Sequence, residues 1–244
     1  MLIGRQSRCT FRIPNGEVKA EWHSWLKGHL DRTRGSSLLV DIYQILKEGD
    51  ALKFQVTFTA FLQDHLSLFC VPRHKEKVYQ ALCFALFFGL FDASDRRYEV
   101  KMEQEDGHGR SDITAHPKIP GCVLSFVFEI KRVDTHNPKH GTKKRTLKSP
   151  DQLKEDLKSA TDDALRQIKE RDYRAGAPPG TRKIHEYALA FAGKFCLAAV
   201  CTLEREVDGG DWVEVKRGTA NNISEANLQG LGDDDMNEDM DVDE

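Results

Sequence analysis

The stretch from Glu105 to Lys131 most constrains what this chain can fold into. It reads E-D-G-H-G-R-S-D-I-T-A-H-P-K-I-P-G-C-V-L-S-F-V-F-E-I-K, which predicts two strands joined by a turn. Ile113 and Thr114 favour extended backbone, Lys118-Ile119-Pro120-Gly121 interrupts it, and Cys122 to Ile130 is almost unbroken β-former. Facing residues of an antiparallel hairpin have position numbers of nearly constant sum, and a turn centred on Pro120-Gly121 sets that sum near 241. Asp112 then faces Glu129. The strand period of two puts Lys131 on the face of Glu129 and turns Ile130 the other way. Two carboxylates and an ammonium converge on one edge of a small sheet.

Paired carboxylates beside a backbone carbonyl suit a hard cation such as Mg²⁺, or Mn²⁺ in its place, which keeps several waters and takes one or two protein carboxylates. Such an ion polarises a phosphodiester oxygen and activates water, and Lys131 can place that water or offset charge developing on phosphate. The plainer alternative is a cross-strand salt bridge between Glu129 and a basic neighbour on a solvated edge.

Asp112, followed by Glu129-Ile130-Lys131 at the end of an apolar strand, resembles the PD-(D/E)XK nuclease superfamily. More narrowly, it resembles the nuclease domain found at the C-terminus of AAA-ATPase-like proteins. There an E-x-G-x-G-R-x-D stretch precedes the E-x-K strand, matched here by Glu105 to Asp112. A later A-x-x-Q-I-x-x-x-x-Y helix is matched by Ala164 to Ile168 with Tyr173, an A-F-x-G-K strand by Ala190 to Lys194, and an I-P-N-x-E-V linker by Ile13 to Val18. The resemblance implies Asp112 and Glu129 as metal ligands, Lys131 as charge stabiliser and Gln167 as an accessory positioning group. It also brings in Glu105 and, through an E-x-x-Y at Glu76 and Tyr79, Glu76 as further metal candidates. Without the resemblance, Gln167 reads as a solvated glutamine and Glu76 as an acid favoured in a first helical turn.

With 244 residues, 39% hydrophobic and 31% charged, the chain can bury one good core plus a small helical annex. Its net charge of −3 conceals an asymmetry: Asp233 to Glu244 holds eight acids and no base, leaving a body of net +5. A mildly basic body with an acidic tail is compatible with nucleic-acid binding. The six cysteines show no C-x-x-C pair and no histidine at zinc-ligand spacing, so buried free thiols are expected. No secretory signal is visible, and the richest apolar run, Val78 to Phe91, is too short to span a bilayer. An intracellular setting, cytoplasmic or nuclear, is expected, with no membrane partner.

In chain order, a helix is expected from Gly16 to about Arg34, a second from Ser36 or Ser37 through Leu46, and a third from Asp50 with Leu52, Val56, Phe61 and Leu62 on its buried side. His74 to Phe91 predicts a helix too apolar to lie on a surface. Arg97 to Met102 predicts a first strand, ahead of the hairpin. Gly107 and Gly109 fit a tight or bulged backbone, since no Walker loop occurs in the sequence. Arg110 either pairs with a carboxylate of the hairpin or contacts phosphate. From Lys131 to Lys148 a basic loop carries Lys139, Lys143, Lys144 and Arg145, which suit phosphate-backbone contact, or nuclear import through Lys143-Lys144-Arg145. A helix from Ser149 to about Tyr173 buries Leu153, Leu157, Ala160, Ala164 and Ile168, and strands follow at Ile184 to Phe191, Phe195 to Leu203 and Trp212 to Val215.

The expected fold is α/β: a helix, three strands, helix and strand forming a mixed sheet, restriction-endonuclease-like by resemblance. The expected divisions are 1–70 as helical annex, 71–217 as the nuclease-like domain and 218–244 as a disordered acidic tail. The function expected is metal-dependent hydrolysis of nucleic-acid phosphodiester bonds, with DNA as partner. The alternative is a non-catalytic nucleic-acid-binding or protein-interaction module on a decayed nuclease fold.

Overall fold

A computed structural model describes residues 37–65, 76–94, 97–137 and 146–220. The expected helix from Gly16, the basic residues Lys139, Lys143, Lys144 and Arg145, and the acidic run from Asp233 lie outside the described residues.

The Pro120-Gly121 turn acts as its chemistry requires, Gly121 taking a φ of 86° that side-chain-bearing residues rarely adopt. It joins β2 (Gly109–Pro117) to β3 (Leu124–Arg132), which pair Ile113 with Phe128, Thr114 with Val127 and Ala115 with Phe126. That is the expected register. β1 (Tyr98–Asp106) pairs antiparallel with β2 and runs four residues beyond the expected Met102. The acidic residues Glu105 and Asp106 are poor β-formers, held extended by pairing with Arg110 and Gly109, whereas Glu103 has no partner on β2 and takes a φ of 53°, an irregularity in the strand. β4 (Lys183–Ala192), β5 (Phe195–Glu204) and β6 (Val213–Thr219) complete one six-stranded sheet in chain order. β6 reaches past Gly218, where the tail was expected to begin.

Only β3 and β4 run parallel, so a crossover must join them. α4 (Pro150–Glu170) is part of it; α1 (Ser37–Glu48), α2 (Ala51–His65) and α3 (Glu76–Ser94) precede the sheet. Ser149 caps α4 in a reciprocal capping box with Gln152, and Pro150 occupies its first turn. α4 buries Leu153, Leu157, Thr161, Ala164, Leu165 and Ile168. Thr161 replaces the expected Ala160 because its hydroxyl is satisfied within the helix, donating to Lys158 O at 2.8 Å. The stripe packs on Val127, Ile184, Ala188, Ala199, Cys201 and Leu203.

The opposite face of the sheet is aromatic. Phe87 stacks on Phe128 at 4.4 Å, Tyr79 on Phe191 at 4.6 Å, and Phe54 lies 5.5 Å from Tyr187. α3 is therefore apolar nearly all round, as expected of a helix wedged between layers. The expected face of α2 is corrected: Leu52 and Val56 are exposed, whereas Phe54, Phe58, Phe61 and Leu62 are buried. Rings carry more apolar area than branched aliphatics, and the 54–58–61–62 stripe is continuous. Residues 37–65, the described part of the segment expected as a helical annex, thus supply helices to the sheet's own core. α1 is fastened there through its C-terminal carbonyls, with His185 Nε2 donating to Lys47 O at 3.0 Å and the Tyr187 hydroxyl to Leu46 O at 3.1 Å. Cys83, Cys196 and Cys201 are buried free thiols, and Cys122 is half-buried.

Candidate active site

The pairing of β2 with β3 stops at Ile113 and Phe128, and beyond that point the strands part. Two amides of β3 on the side of the departing strand need acceptors. Asp112 Oδ2 takes the Ile130 N–H at 2.7 Å, and Glu76 Oε2, from the first turn of α3, takes that of Arg132 at 3.3 Å. Gln80, one helical turn after Glu76, donates to Asp112 Oδ1 at 2.8 Å and to Glu76 Oε1 at 3.4 Å. A carboxylate is thus held in the opening between two strands by the amide the opening exposes.

On β3 the alternation of side chains sends Ile130 into the aromatic core and Glu129 and Lys131 toward α4. Lys131 Nζ donates to Glu129 Oε1 at 2.8 Å and to Gln167 Oε1 at 2.9 Å. The Gln167 amide donates to Glu129 Oε1 and to the Tyr173 hydroxyl, and the latter donates to Arg110 O at 2.7 Å. Glu129 is only 1% exposed, and its Oε2 has no hydrogen-bond partner. A buried carboxylate oxygen without a donor is costly unless something positive satisfies it.

The electrostatics point the same way. Burial pushes the Glu129 carboxyl up to about 7, helped by the charge of Asp112 and opposed by Lys131. Burial likewise pushes Asp112 up to about 6, against the Ile130 amide and Lys131, which favour its anion. Burial alone would lower Lys131, but the Glu129 carboxylate bonded to it holds the ammonium above its ordinary range. The pocket carries more negative charge than its own cation neutralises.

Asp112, Glu129, Lys131, Gln167 and Glu76 are therefore brought together. Glu105 is not: it is exposed on β1, opposite Arg110. The Arg110 side chain lies 3.6 Å from Glu103 on β1, a carboxylate pairing outside the hairpin where one was expected. Among the described residues, no three His, Cys, Asp or Glu side chains are grouped so as to hold a metal ion. Gln80 was missed, although it is the one polar residue in the apolar run from Val78 to Phe91. The glycines of the β1–β2 tip are explained by close approach. A Cβ on Gly107, whose φ is +56°, would collide with Asp172 O and stand 2.5 Å from Arg171 O, while His108 N donates to that same carbonyl at 2.8 Å. The tip is docked on the chain leaving α4, not shaped to cradle phosphate.

Residues 74–199, half of the chain, match the family model of the PD-(D/E)XK nuclease superfamily. The chain belongs to that superfamily. The match covers α3, the strands from β1 to β4 and α4, and so its span includes every side chain of the site. The match gives the superfamily and leaves the narrower ATPase-linked resemblance untested. Comparison with curated proteins finds no match, nor does comparison with solved structures. PD-(D/E)XK nucleases typically use divalent metals, and the donors of this PD-(D/E)XK domain fit one: acid oxygens on both sides of a strand opening, with Glu129 Oε2 lacking any protein donor. No helix among the described residues is long and apolar enough to cross a membrane.

Proposed function

We propose that the chain is a metal-dependent nuclease that hydrolyses phosphodiester bonds in DNA. The observation that carries the reading is Glu129 Oε2, a buried carboxylate oxygen with no partner, on a carboxyl pushed upward beside a second acid. Asp112 and Glu129 would hold Mg²⁺ or Mn²⁺, with the Ile130 carbonyl on the same side of β3 as its Asp112-bonded amide. Such an ion, when bound, supplies Lewis acidity toward phosphate and a more acidic water. The rest falls to the protein. Lys131 Nζ, aimed by Glu129 and Gln167, offers its remaining N–H to the attacking water or to a phosphate oxygen gaining charge. Gln167 donates and accepts at once, fixing the ammonium against Glu129 and tying both to Tyr173. Gln80 keeps Asp112 from turning out of the opening.

The test is a calorimetric Mg²⁺ titration of the wild type and Asp112→Ala, with cleavage of a labelled DNA duplex in parallel. Heat of binding and cleavage that both vanish in the variant support the reading; binding unaffected by the substitution refutes the ligand assignment. One observation favours a second reading, a nucleic-acid-binding module without catalysis. Among the described residues no three acids are grouped closely enough to hold a metal ion, and Glu129 Oε1 already serves Lys131 and Gln167. Metal-independent DNA binding with no cleavage would select that reading.

A further inference from the structure

A cleft opens beside the site along the C-terminal half of α4, and Lys131, Arg132, Arg166 and Arg171 are its cations. Three of them are committed. Lys131 is bonded to Glu129, Arg132 lies 3.4 Å from Asp134, and Arg166 lies 2.5 Å from Asp163. Arg171 differs. Among the described residues no carboxylate pairs with it, and its guanidinium donates to the neutral Tyr173 hydroxyl at 3.4 Å. It is nonetheless near the site: the Tyr173 hydroxyl first, and then the charges of Glu129 and Asp112, hold it above the ordinary arginine range.

Its stem is held while its head is exposed. A Cβ on Gly109 would stand 2.6 Å from Arg171 Cδ and 3.2 Å from Arg171 Cβ, so the methylenes lie directly on the hairpin backbone. The Arg171 carbonyl is bonded in turn by His108 N at 2.8 Å. Arginine stays charged throughout the working pH range, and its planar fork matches phosphate oxygens. With the stem already ordered, less side-chain freedom remains to be lost on binding.

We infer that Arg171 is a substrate-binding residue that grips a backbone phosphate of the DNA flanking the scissile bond, Gly109 shaping the track along which its side chain lies. The inference rests on the nuclease reading and adds to it the path of the strand, over the exit of α4 and the tip of the β1–β2 hairpin. A rival role, a cation that merely suits the carbonyl end of a helix, predicts a loss of stability and no change in DNA binding.

The full chain and a fluorescein-labelled DNA duplex in chelator, followed by anisotropy between about 50 and 200 mM salt, separate these outcomes. Arg171→Ala should weaken binding roughly 5- to 10-fold at the low-salt end and make the slope of log affinity against log salt shallower by about 0.9. Arg171→Lys should keep the slope, and Arg166→Ala, which removes a paired cation, should leave both slope and affinity near wild type. Gly109→Ala leaves the guanidinium on the chain but displaces its stem; it should weaken binding in the wild type and not in Arg171→Ala. Should Arg171→Ala fail to fold, Arg171→Gln and Gly109→Ala carry the same comparison. An unchanged slope in Arg171→Ala, alone or with a lowered melting temperature, overturns the inference, as does an equal loss in Arg166→Ala. If the wild type binds and cleaves DNA while Arg171→Ala matches it, this inference alone falls. A wild type that binds no DNA at low salt removes the nuclease reading as well.

Discussion

Replacing Glu129 by Gln should stabilise the metal-free protein at alkaline pH. In the folded chain burial, reinforced by Asp112, lifts the Glu129 carboxyl from an ordinary 4.5 to about 7. A carboxyl raised in this way favours the native state fully below its unfolded pKa, and that contribution is lost as pH rises through about 7. Each tenfold change in proton affinity is worth about 1.4 kcal/mol, so ionising Glu129 costs the native state roughly 3 kcal/mol by pH 8. The amide keeps the Oε1 acceptor used by Lys131 and Gln167 and carries no charge. Its NH₂ group enters the partnerless position of Oε2, a burial that takes back about 1–2 kcal/mol at every pH. The variant should therefore be weaker than wild type by about 1–2 kcal/mol near pH 4 and stronger by roughly 1–2 kcal/mol at pH 8. In a chain of this size that gain raises the melting temperature by about 2–8 °C. Urea titrations of both proteins from pH 4 to 8.5, in chelator, measure it. A difference that stays flat with pH would show that Glu129 is not strained by its own charge and would refute the reasoning. Added Mg²⁺ should reverse the order by stabilising only the wild type.

Lys131→Met should lower kcat about 10²- to 10³-fold while calorimetric metal binding persists, and a loss under threefold would remove its role in charge stabilisation. Arg174→Met strands Glu186, which is 1% exposed and bonded to Arg174 at 2.5 and 3.1 Å. It should cost about 3–5 kcal/mol in urea unfolding, most of which Arg174→Met with Glu186→Leu restores. His185 is held neutral by burial, its pKa pushed down to about 4, so it contributes stability above its unfolded pKa that is lost as pH falls through about 4. His185→Gln should flatten that acid limb, and a limb of unchanged steepness would acquit the histidine.

The heart of the site was legible in the sequence because a hairpin is a local object. Once Pro120-Gly121 defines the turn, the pleat period carries Asp112 to Glu129 without knowledge of the rest, and the observed pairing of Ile113 with Phe128 lies in that register. α3 was legible for a similar reason, since a run apolar on every side has few places to go. α2 was not. Leu52 and Val56 make as good a stripe on paper as Phe54 and Phe58, and only the aromatic face of β3 and β4 decides between them. Gln80 was hidden because its task depends on where β2 and β3 separate, which no local pattern states. The extension of β1 to Asp106 was illegible on propensity, because Glu105 and Asp106 are extended by pairing and not by preference and Glu103 breaks the regular strand.

Asp112 serves the sheet as well as the site, its carboxylate standing where β2 no longer supplies an acceptor for Ile130. That structural duty needs one oxygen and not a charge, so Asn at the same position can keep the bond to the Ile130 amide, provided the Gln80 amide turns over to accept from the Asn NH₂. Lys131 differs: its ammonium bonds only side chains, but one of them is the buried Glu129 carboxylate, so its removal weighs on the fold as well. On the proposed nuclease reading, activity and foldedness are thus separable at Asp112, and a lineage carrying this domain can drift into silence through Asp112→Asn without passing through an unfolded ancestor. Descendants that have lost the chemistry would persist as intact proteins, open to recruitment for other work, and natural selection would see two independent traits in one hairpin.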